Sequence, residues 1–463
     1  MRLVTCSYLF LACVCWFLGP GNPPVAQEKE PSDRFLESAI QVHHWLESVK
    51  KTDDNGNAYW PNAPGQSNRT TDDLYHGDLG VIRFYRQLYV ATRDAKFLEL
   101  AEQGAARILV ALKERPSKQP GLYTGLAGQG WECLSLFKVT QKPKYKKAAK
   151  CVVELLNDMS QEAKKGKRVS DSTDIISGNA GVGLFLLRAF REIEDTNALK
   201  LARELGDGLI AEALDGNEKE HLDGSAKGLR WKVSKRFPRE YPNYSHGTAG
   251  NCDFLVRLHI VENQLRSPNL ADGKFESRFL KAAVQGAEYL ESIAKIDPSS
   301  CLIFHDTDKS GLQLYYLGWC HGPPGTGRFF WSLHEATENK SYKKYALLGA
   351  QTLVQLQLAK KRHPGFWNNC GQCCGSAGVA EYLALVYQKT REQRYLDECR
   401  RLTEDILERA KVVELEDGKK GLKWIHAENR VDPKGLKAQT GYMQGAAGIG
   451  CWLIRMHQLS KNQ

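Results

Sequence analysis

Three cysteines stand in two short segments that share one pattern, and together they have the make-up of a metal site. Cys320 lies in the segment WCH directly before one Gly-x-x-Gly unit, and Cys373 and Cys374 end the segment CGQCC directly before the next unit. Three thiolates with a fourth position left open are the ligand pattern of a catalytic zinc ion. If the two segments meet in the fold, the sequence predicts a Zn²⁺ site.

Other interpretations of these cysteines stay open. The adjacent Cys373 and Cys374 are also consistent with packing residues, and Cys370-x-x-Cys373 is consistent with a disulfide or a redox pair. A thioredoxin-type motif needs a helix N-terminus within a βαβ unit, which this sequence does not indicate. Cys370 also remains an alternative to Cys374 as the third ligand.

The Gly-x-x-Gly unit occurs seven times, each time followed by a strongly apolar run. A repeat with spacings of 48 to 75 residues indicates one recurring supersecondary unit. The seven copies begin at Gly77, Gly125, Gly178, Gly247, Gly322, Gly375 and Gly445.

The runs between the glycines predict an all-α fold. The run after each copy is apolar nearly all round, as in 182–190, and is typical of a buried helix. Amphipathic runs such as 97–109 alternate with these. Seven helices of each kind predict an α/α barrel (toroid) of seven inner and seven outer helices. We expect the glycines to start the inner helices at one crowded end of the barrel, which we call the mouth. There they would permit close backbone approach and unusual φ angles. Long connections near 215–245, 295–319 and 414–441 are expected to cover that mouth.

The chain start and the overall charge indicate where the protein acts. Arg2 followed by an apolar stretch to Leu18 predicts a signal peptide over 1–26, with the barrel domain over 27–463. We therefore expect a secreted or periplasmic protein, with a lipoprotein tether near Cys13 as an alternative. The net charge of +10 is not gathered into a Lys/Arg block. We expect no nucleic-acid partner, no membrane span and a monomer.

The combined motifs resemble the lanthionine synthetase C-like (LanC-like) family. Seven Gly-x-x-Gly inner helices, WCHGxxG and a later CCGxxG carry the resemblance, which covers roughly residues 35–460. It implies an α/α barrel with one bound zinc ion. Cyclases of the family add a cysteine thiol to dehydroalanine or dehydrobutyrine and form a thioether, and eukaryotic relatives use glutathione as the thiol donor.

The resemblance also implies roles for single residues. Cys320 and Cys373 match the zinc cysteines, and Cys374 stands where the third ligand is often histidine. His246 matches the proposed general acid/base, and Asp174 matches an aspartate that helps the same step. An imidazole with a pKa of about 6.5 suits proton transfer at neutral pH.

Two further positions near the first zinc cysteine bear on the chemistry. His321 is a second choice for the proton transfer, in a place where the family has His or Tyr. Bacterial cyclases often carry arginine four residues before the first zinc cysteine, where this chain has Tyr316.

Three functions follow as hypotheses. The first is an exported zinc-dependent enzyme that adds a cysteine, glutathione or other small thiol to dehydroamino-acid peptides; three thiolate ligands favour thiol alkylation over hydrolysis. The second is a secreted non-catalytic protein that binds a peptide or thiol around a zinc ion. The third is a glycosidase, which needs two facing carboxylates; Asp78, Asp174 and Glu381 offer no convincing pair.

Overall fold

The computed structural model describes most of the chain after the predicted signal peptide. The described residues are 31–216, 222, 225–266, 275–308, 310–366, 369–428 and 430–461. The predicted signal peptide, 1–26, lies outside them, and its assignment stays a prediction.

Fourteen helices alternate between an inner and an outer ring in this part of the chain. The inner helices are α2 (Asp78–Thr92), α4 (Leu126–Thr140), α6 (Asn179–Ile193), α8 (Thr248–Gln264), α10 (Pro323–Thr337), α12 (Ser376–Thr390) and α14 (Ala446–Lys461). The outer helices are α1 (Pro31–Val49), α3 (Ala95–Glu114), α5 (Pro143–Asp158), α7 (Thr196–Ala211), α9 (Arg278–Ile293), α11 (Lys340–Leu356) and α13 (Gln393–Glu408). Within the described ranges, none of these helices is both long and apolar enough to cross a bilayer.

The inner ring closes on itself. Each inner helix packs on the next, and α14 packs on α2. The outer helix α1, from the start of the described chain, packs on α14 and completes the seventh pair. The predicted α/α barrel of seven inner and seven outer helices is therefore confirmed.

Short antiparallel ribbons occupy several of the connections from an outer helix to the next inner helix. Their strands have two to four residues, too few to leave a periodic signal in the sequence. They are β1 (Lys51–Thr52) with β2 (Ala58–Tyr59), β3 (Gln161–Glu162) with β4 (Lys167–Arg168), β5 (Leu214–Asp215) with β6 (Leu229–Arg230), β7 (Lys295–Asp297) with β8 (Ser300–Leu302), β9 (Lys411–Glu414) with β10 (Lys420–Lys423), and β11 (Ile425–Ala427) with β12 (Leu436–Ala438).

Glycines let neighbouring inner helices approach closely. A Cβ atom on Gly183 in α6 would lie 2.2 Å from the Phe254 ring of α8, and one on Gly450 in α14 would lie 2.4 Å from the Phe84 ring of α2. An aromatic ring thus fills the groove that each of these glycines leaves. This packing allows neighbouring inner helices to lie close together in the ring.

The paired glycines at the mouth serve close approach, not unusual φ. Gly247 caps α8 with φ −146°, an extended conformation open to any residue. A Cβ atom there would lie 1.7 Å from the Tyr241 carbonyl oxygen, and one on Gly250 would lie 2.0 Å from the Tyr244 carbonyl oxygen. The expectation of unusual φ is wrong here, because the incoming loop crowds the helix start while the backbone stays extended.

Candidate active site

Backbone hydrogen bonds join the loops before the inner helices into a ring around the mouth. The Ser245 amide donates to the Cys320 carbonyl (2.9 Å), the Cys320 amide to the Cys373 carbonyl (3.2 Å), and the Cys373 amide to the Met443 carbonyl (3.0 Å). The chain of bonds continues through Met443, Tyr75, Tyr123, Ile176 and Ile175 back to Ser245. Because adjacent loops are bonded directly, the two cysteine segments become neighbours.

The structure brings the three predicted metal ligands together. The sulfur atoms of Cys320, Cys373 and Cys374 all lie within 4.8 Å of one another. The Sγ atoms of Cys320 and Cys374 are 3.3 Å apart, well beyond a disulfide bond of about 2.05 Å. All ten cysteines in the described part of the chain are free thiols. Hydrogen bonds from the Cys320 and Cys373 thiols lower the pKa of the Cys374 thiol well below its ordinary value.

This cluster fits a zinc ion. Sulfurs on a tetrahedral zinc with bonds of about 2.3 Å lie about 3.8 Å apart, so the observed spacing needs only small movements. A donor set of thiols alone suits zinc rather than calcium or magnesium. Cys370 is buried outside the cluster, and burial raises the pKa of its thiol to about 12. In this arrangement Cys374, not Cys370, completes the set.

Two side chains that the sequence did not point to hold the cluster. The Tyr75 hydroxyl donates to Cys373 Sγ (3.2 Å). The Gln444 amide nitrogen lies 3.3 Å from Tyr75 Oη and 3.9 Å from Cys374 Sγ. Asn369 donates to the Gln444 side-chain oxygen (3.0 Å), so the amide nitrogen points towards the thiols.

His246 and Asp174 form a hydrogen-bonded pair. The His246 Nδ1 atom lies 2.6 Å from Asp174 Oδ2. An ionised carboxylate only accepts, so Nδ1 carries the proton and Nε2 is left as a base. Asp174 is 2% exposed and His246 is 36% exposed, so a substrate can reach the imidazole. Asp174 Oδ1 also accepts from the Ser177 amide (2.8 Å), so Asp174 supports the turn and orients His246 at once.

His321 lies beside this pair and is partly buried. Its ring centre is 5.9 Å from that of His246, and its Nε2 atom lies 3.5 Å from the Ser245 hydroxyl. Burial, and then the nearby His305 and His246, hold the pKa of His321 well below its usual range. As placed, His321 is a neutral imidazole.

A cluster of rings from the connections covers His321. The ring centre of His305 is 4.5 Å from that of His321, and the ring centre of Tyr241 is 4.8 Å away. Tyr316 packs on His305 (4.6 Å), and the Arg430 guanidinium carbon lies 5.9 Å from the centre of the Tyr316 ring. The connections predicted to cover the mouth therefore supply site residues of their own.

The carboxylates considered for glycoside hydrolysis have other partners. Asp78 accepts from the Trp60 amide (2.8 Å) and pairs with Arg107 on outer helix α3. Glu381 pairs with Arg455 (2.7 Å) inside the barrel, and Asp174 holds His246. Because each of the three carboxylates is engaged elsewhere, no two of them make the facing pair that a glycosidase needs.

A likeness to one solved structure agrees with the fold. The chain has 16% identity and a TM-score of 0.61 to a solved structure of nisin cyclase, over 94% of this chain and 95% of that one. A protein from Listeria innocua (14% identity, TM-score 0.47, 93% of this chain and 98% of that one) and an α-1,6-mannanase from a Salegentibacter species (12% identity, TM-score 0.48, 92% and 99%) also match. Comparison with curated proteins finds no match.

A family model gives the assignment. The model for "Lanthionine synthetase C-like protein" matches residues 68–463, which include all seven Gly-x-x-Gly units and the cysteine cluster. The chain therefore belongs to the lanthionine synthetase C-like family.

Proposed function

We propose that this protein is a zinc-dependent enzyme that adds a thiol to the alkene of dehydroalanine or dehydrobutyrine residues and so forms a thioether. The observation that carries the proposal is the oriented His246–Asp174 pair at the mouth that also holds the three-thiol cluster. Membership of the LanC-like family and the fold likeness to a protein named nisin cyclase support it.

Cys320, Cys373 and Cys374 would hold the metal. A bound zinc ion would keep an incoming thiol as its thiolate, so that attack does not wait on a thiol pKa of about 8.5. Tyr75 fixes the position of the Cys373 sulfur, and Gln444 lies beside both Tyr75 and Cys374. The residues of this chain thus preorganise the donor set.

His246 moves the proton. Its open Nε2 atom accepts the proton that the thiol loses, and Asp174 stabilises the imidazolium that results. The thiolate then attacks the β-carbon of the alkene, and negative charge collects on the carbonyl oxygen. His246 returns the same proton to the α-carbon, so the reaction consumes no acid or base overall.

The barrel favours negative charge at the mouth. All seven inner helices begin there, and helix N-termini carry partial positive charge that stabilises anions. Arg430, beside Tyr316, brings a full positive charge to the same region. Thiolates and the developing enolate are both stabilised by this field.

The direct test is to incubate the protein with a dehydroalanine peptide and glutathione and to measure the molecular mass of the peptide product by mass spectrometry. We expect an adduct heavier by one glutathione, formed faster than without protein. Cys370→Ala is a matched control, since Cys370 is buried outside the cluster, and this variant should keep its activity. No adduct above the uncatalysed rate across several dehydroamino-acid peptides would favour a non-catalytic protein that binds peptides or thiols.

We also propose that the protein acts outside the cytoplasm, since 1–26 have the pattern of a signal peptide. The natural donor would then be a thiol of that compartment. Expression of the full chain should place it in the periplasmic, secreted or membrane-tethered fraction, with 1–26 removed. Full-length chain recovered from the cytosol alone would contradict this.

A further inference from the structure

A cavity of about 960 Å³ lies inside the inner ring, beyond the loops that carry the thiol cluster. Tyr123, Tyr244 and Trp319, from the loops before the inner helices, line its end nearest the cluster. Its other lining residues reach the last turns of the inner helices, where Arg191 and Gln458 are exposed. The cavity therefore opens at the end of the barrel opposite the mouth. Its size is that of a small-molecule site.

Arginine dominates the charge of this space, which we call the arginine cavity. Five of its arginines have carboxylate partners: Arg83 and Arg86 with Glu132, Arg188 with Glu192, Arg257 with Asp253, and Arg455 with Glu381. Two more, Arg191 and Arg328, also line it. Among the described residues, seven guanidinium groups thus face four carboxylates, an excess of three positive charges.

The two remaining arginines have no ion pair within the described part of the chain. Arg328 lies in the second turn of α10, and its Nε atom is buried without a hydrogen-bond partner. Arg191 lies at the open outer end of the cavity, where partial burial and the neighbouring Arg257 lower the pKa of its guanidinium. Like charges gathered in a partly enclosed space raise the free energy of the empty protein. An anion bound there would relieve this.

The negative ends of the helix dipoles explain only some of the arginines in this cavity. The inner helices end at this side of the barrel, and cations near helix C-termini are stabilised within the last turn. Arg191 meets that condition in α6. Arg328 does not, because it lies nine positions before the last residue of α10, Thr337. Its position therefore needs another partner.

We propose that the arginine cavity binds a compact polyanion with two or three negative charges, carried by phosphate or carboxylate groups. Arg328 contacts the anion at the inner end and Arg191 at the outer end. The paired arginines are held in fixed positions around this space; Arg188, for example, is paired with Glu192 and stacked 4.6 Å over the Trp131 ring. Planar guanidinium groups bind phosphate and carboxylate oxygens in pairs.

Calorimetric titration of the full chain tests this, with inorganic pyrophosphate and benzene-1,3,5-tricarboxylate as separate probes at constant ionic strength. We expect one molecule of at least one probe to bind per chain, and the one that binds identifies the class. Arg328→Gln should weaken binding about tenfold or more, as expected for loss of a charged hydrogen bond. Glu381→Gln should strengthen binding, because it removes a negative charge from the cavity wall.

Two controls separate this site from the thiol cluster and from misfolding. Both probes can chelate zinc, so the titration is repeated with Cys320→Ala, and binding should persist. Arg203→Gln removes an arginine that pairs with Glu262 outside the cavity and should leave binding unchanged. Failure of both probes to bind, or equal loss in Arg328→Gln and Arg203→Gln at unchanged thermal stability, overturns the proposal.

Discussion

Most of the side chains proposed to do chemistry stand at two fixed positions of the repeat; Asp174, four residues before Gly178, is an exception. The residue two before the first glycine of each copy takes part in the backbone ring around the mouth, and in the third copy Ile175 joins it to Ser245. These residues are Tyr75, Tyr123, Ile176, Ser245, Cys320, Cys373 and Met443. The residue directly before that glycine is polar in every copy: His76, Thr124, Ser177, His246, His321, Cys374 and Gln444. One backbone frame therefore presents a polar side chain in each of the seven copies, histidine in three of them, and the proposed function depends on which side chain a copy carries.

His246 provides the sharpest test at this scale. His246→Gln keeps a polar side chain but removes the base, so thiol addition should slow at least about 100-fold. Zinc content should not change, because His246 is not in the thiol cluster. The measurements are the initial rate of adduct formation and metal per chain on the same sample. Unchanged activity would remove His246 from the mechanism.

Asp174→Asn separates the two roles of Asp174. The asparagine oxygen can still accept from the Ser177 amide, so the thermal midpoint should stay close to that of the wild type. Its NH₂ group would now donate to His246 Nδ1 and leave the proton on Nε2, the wrong tautomer for a base. We expect a rate loss comparable with that of His246→Gln. A rate near that of the wild type would make Asp174 a structural residue alone.

The sequence identified the cysteine trio because WCH and CGQCC stand before the same repeated unit. Tyr75 lies two residues before Gly77, just as Cys320 and Cys373 lie two residues before Gly322 and Gly375. Its position in the repeat could therefore have identified it, but an aromatic residue before a buried helix is ordinarily a packing residue. His305 and Arg430 could not be found, since they lie in connections with no repeat. Their places depend on how those connections fold over the mouth.

At the scale of the element, the glycine pairs decide where each inner helix starts. A Cβ atom on Gly448 would lie 1.7 Å from the Tyr442 carbonyl oxygen. Gly448→Ala should therefore lower the free energy of unfolding by about 2 kcal/mol or more, although alanine favours helix by about 1 kcal/mol. Chemical denaturation measures this.

Gly349→Ala is the matched control for that substitution. Gly349 also lies in a helix, but its nearest Cβ contact would be a side-chain carbon of Pro323 at 3.2 Å. We expect this variant to be near neutral or slightly more stable. Equal destabilisation of both variants would show that helix glycines matter in general and that the mouth loops do not.

The helices were predictable because each inner run is apolar on all sides and each outer run on one side. The aromatic rings packed on helix glycines, such as Phe254 on Gly183, were not predicted, because they depend on which helices are neighbours in space. The unusual φ expected at the mouth glycines was wrong for a related reason. A sequence shows where glycine recurs. It does not show whether glycine is required because a Cβ atom would clash or because the backbone adopts an unusual φ angle.

At the scale of the whole molecule, closure of the ring depends on the packing of α1, the first described helix, against α14, the last. Trp45 of α1 is 3% exposed and packs near Gly421 of β10, which lies between α13 and α14. Trp45→Ala should cost about 3–5 kcal/mol of stability, as for other large core side chains. Val412→Ala, at a side chain 59% exposed, should cost less than about 1 kcal/mol. Similar losses in both would mean that α1 is not part of the closed core.

The closed ring also explains why residues 53 positions apart in the sequence make one site. Because all inner helices begin at the same end, the thiols, the His246–Asp174 pair and the positive helix ends face one mouth. The arginine cavity opens at the other end, so the proposed anion site can be varied separately from the thiol cluster.

The central claim is that three thiols hold a zinc ion on which thiol addition depends. The most direct measurement is the rate of glutathione addition to a dehydroalanine peptide as a function of bound zinc, in protein stripped of metal and reloaded in steps. We predict a rate that rises in proportion to zinc and levels off at about one ion per chain, with neither zinc nor activity in Cys320→Ala. Full activity in zinc-free protein would contradict the account.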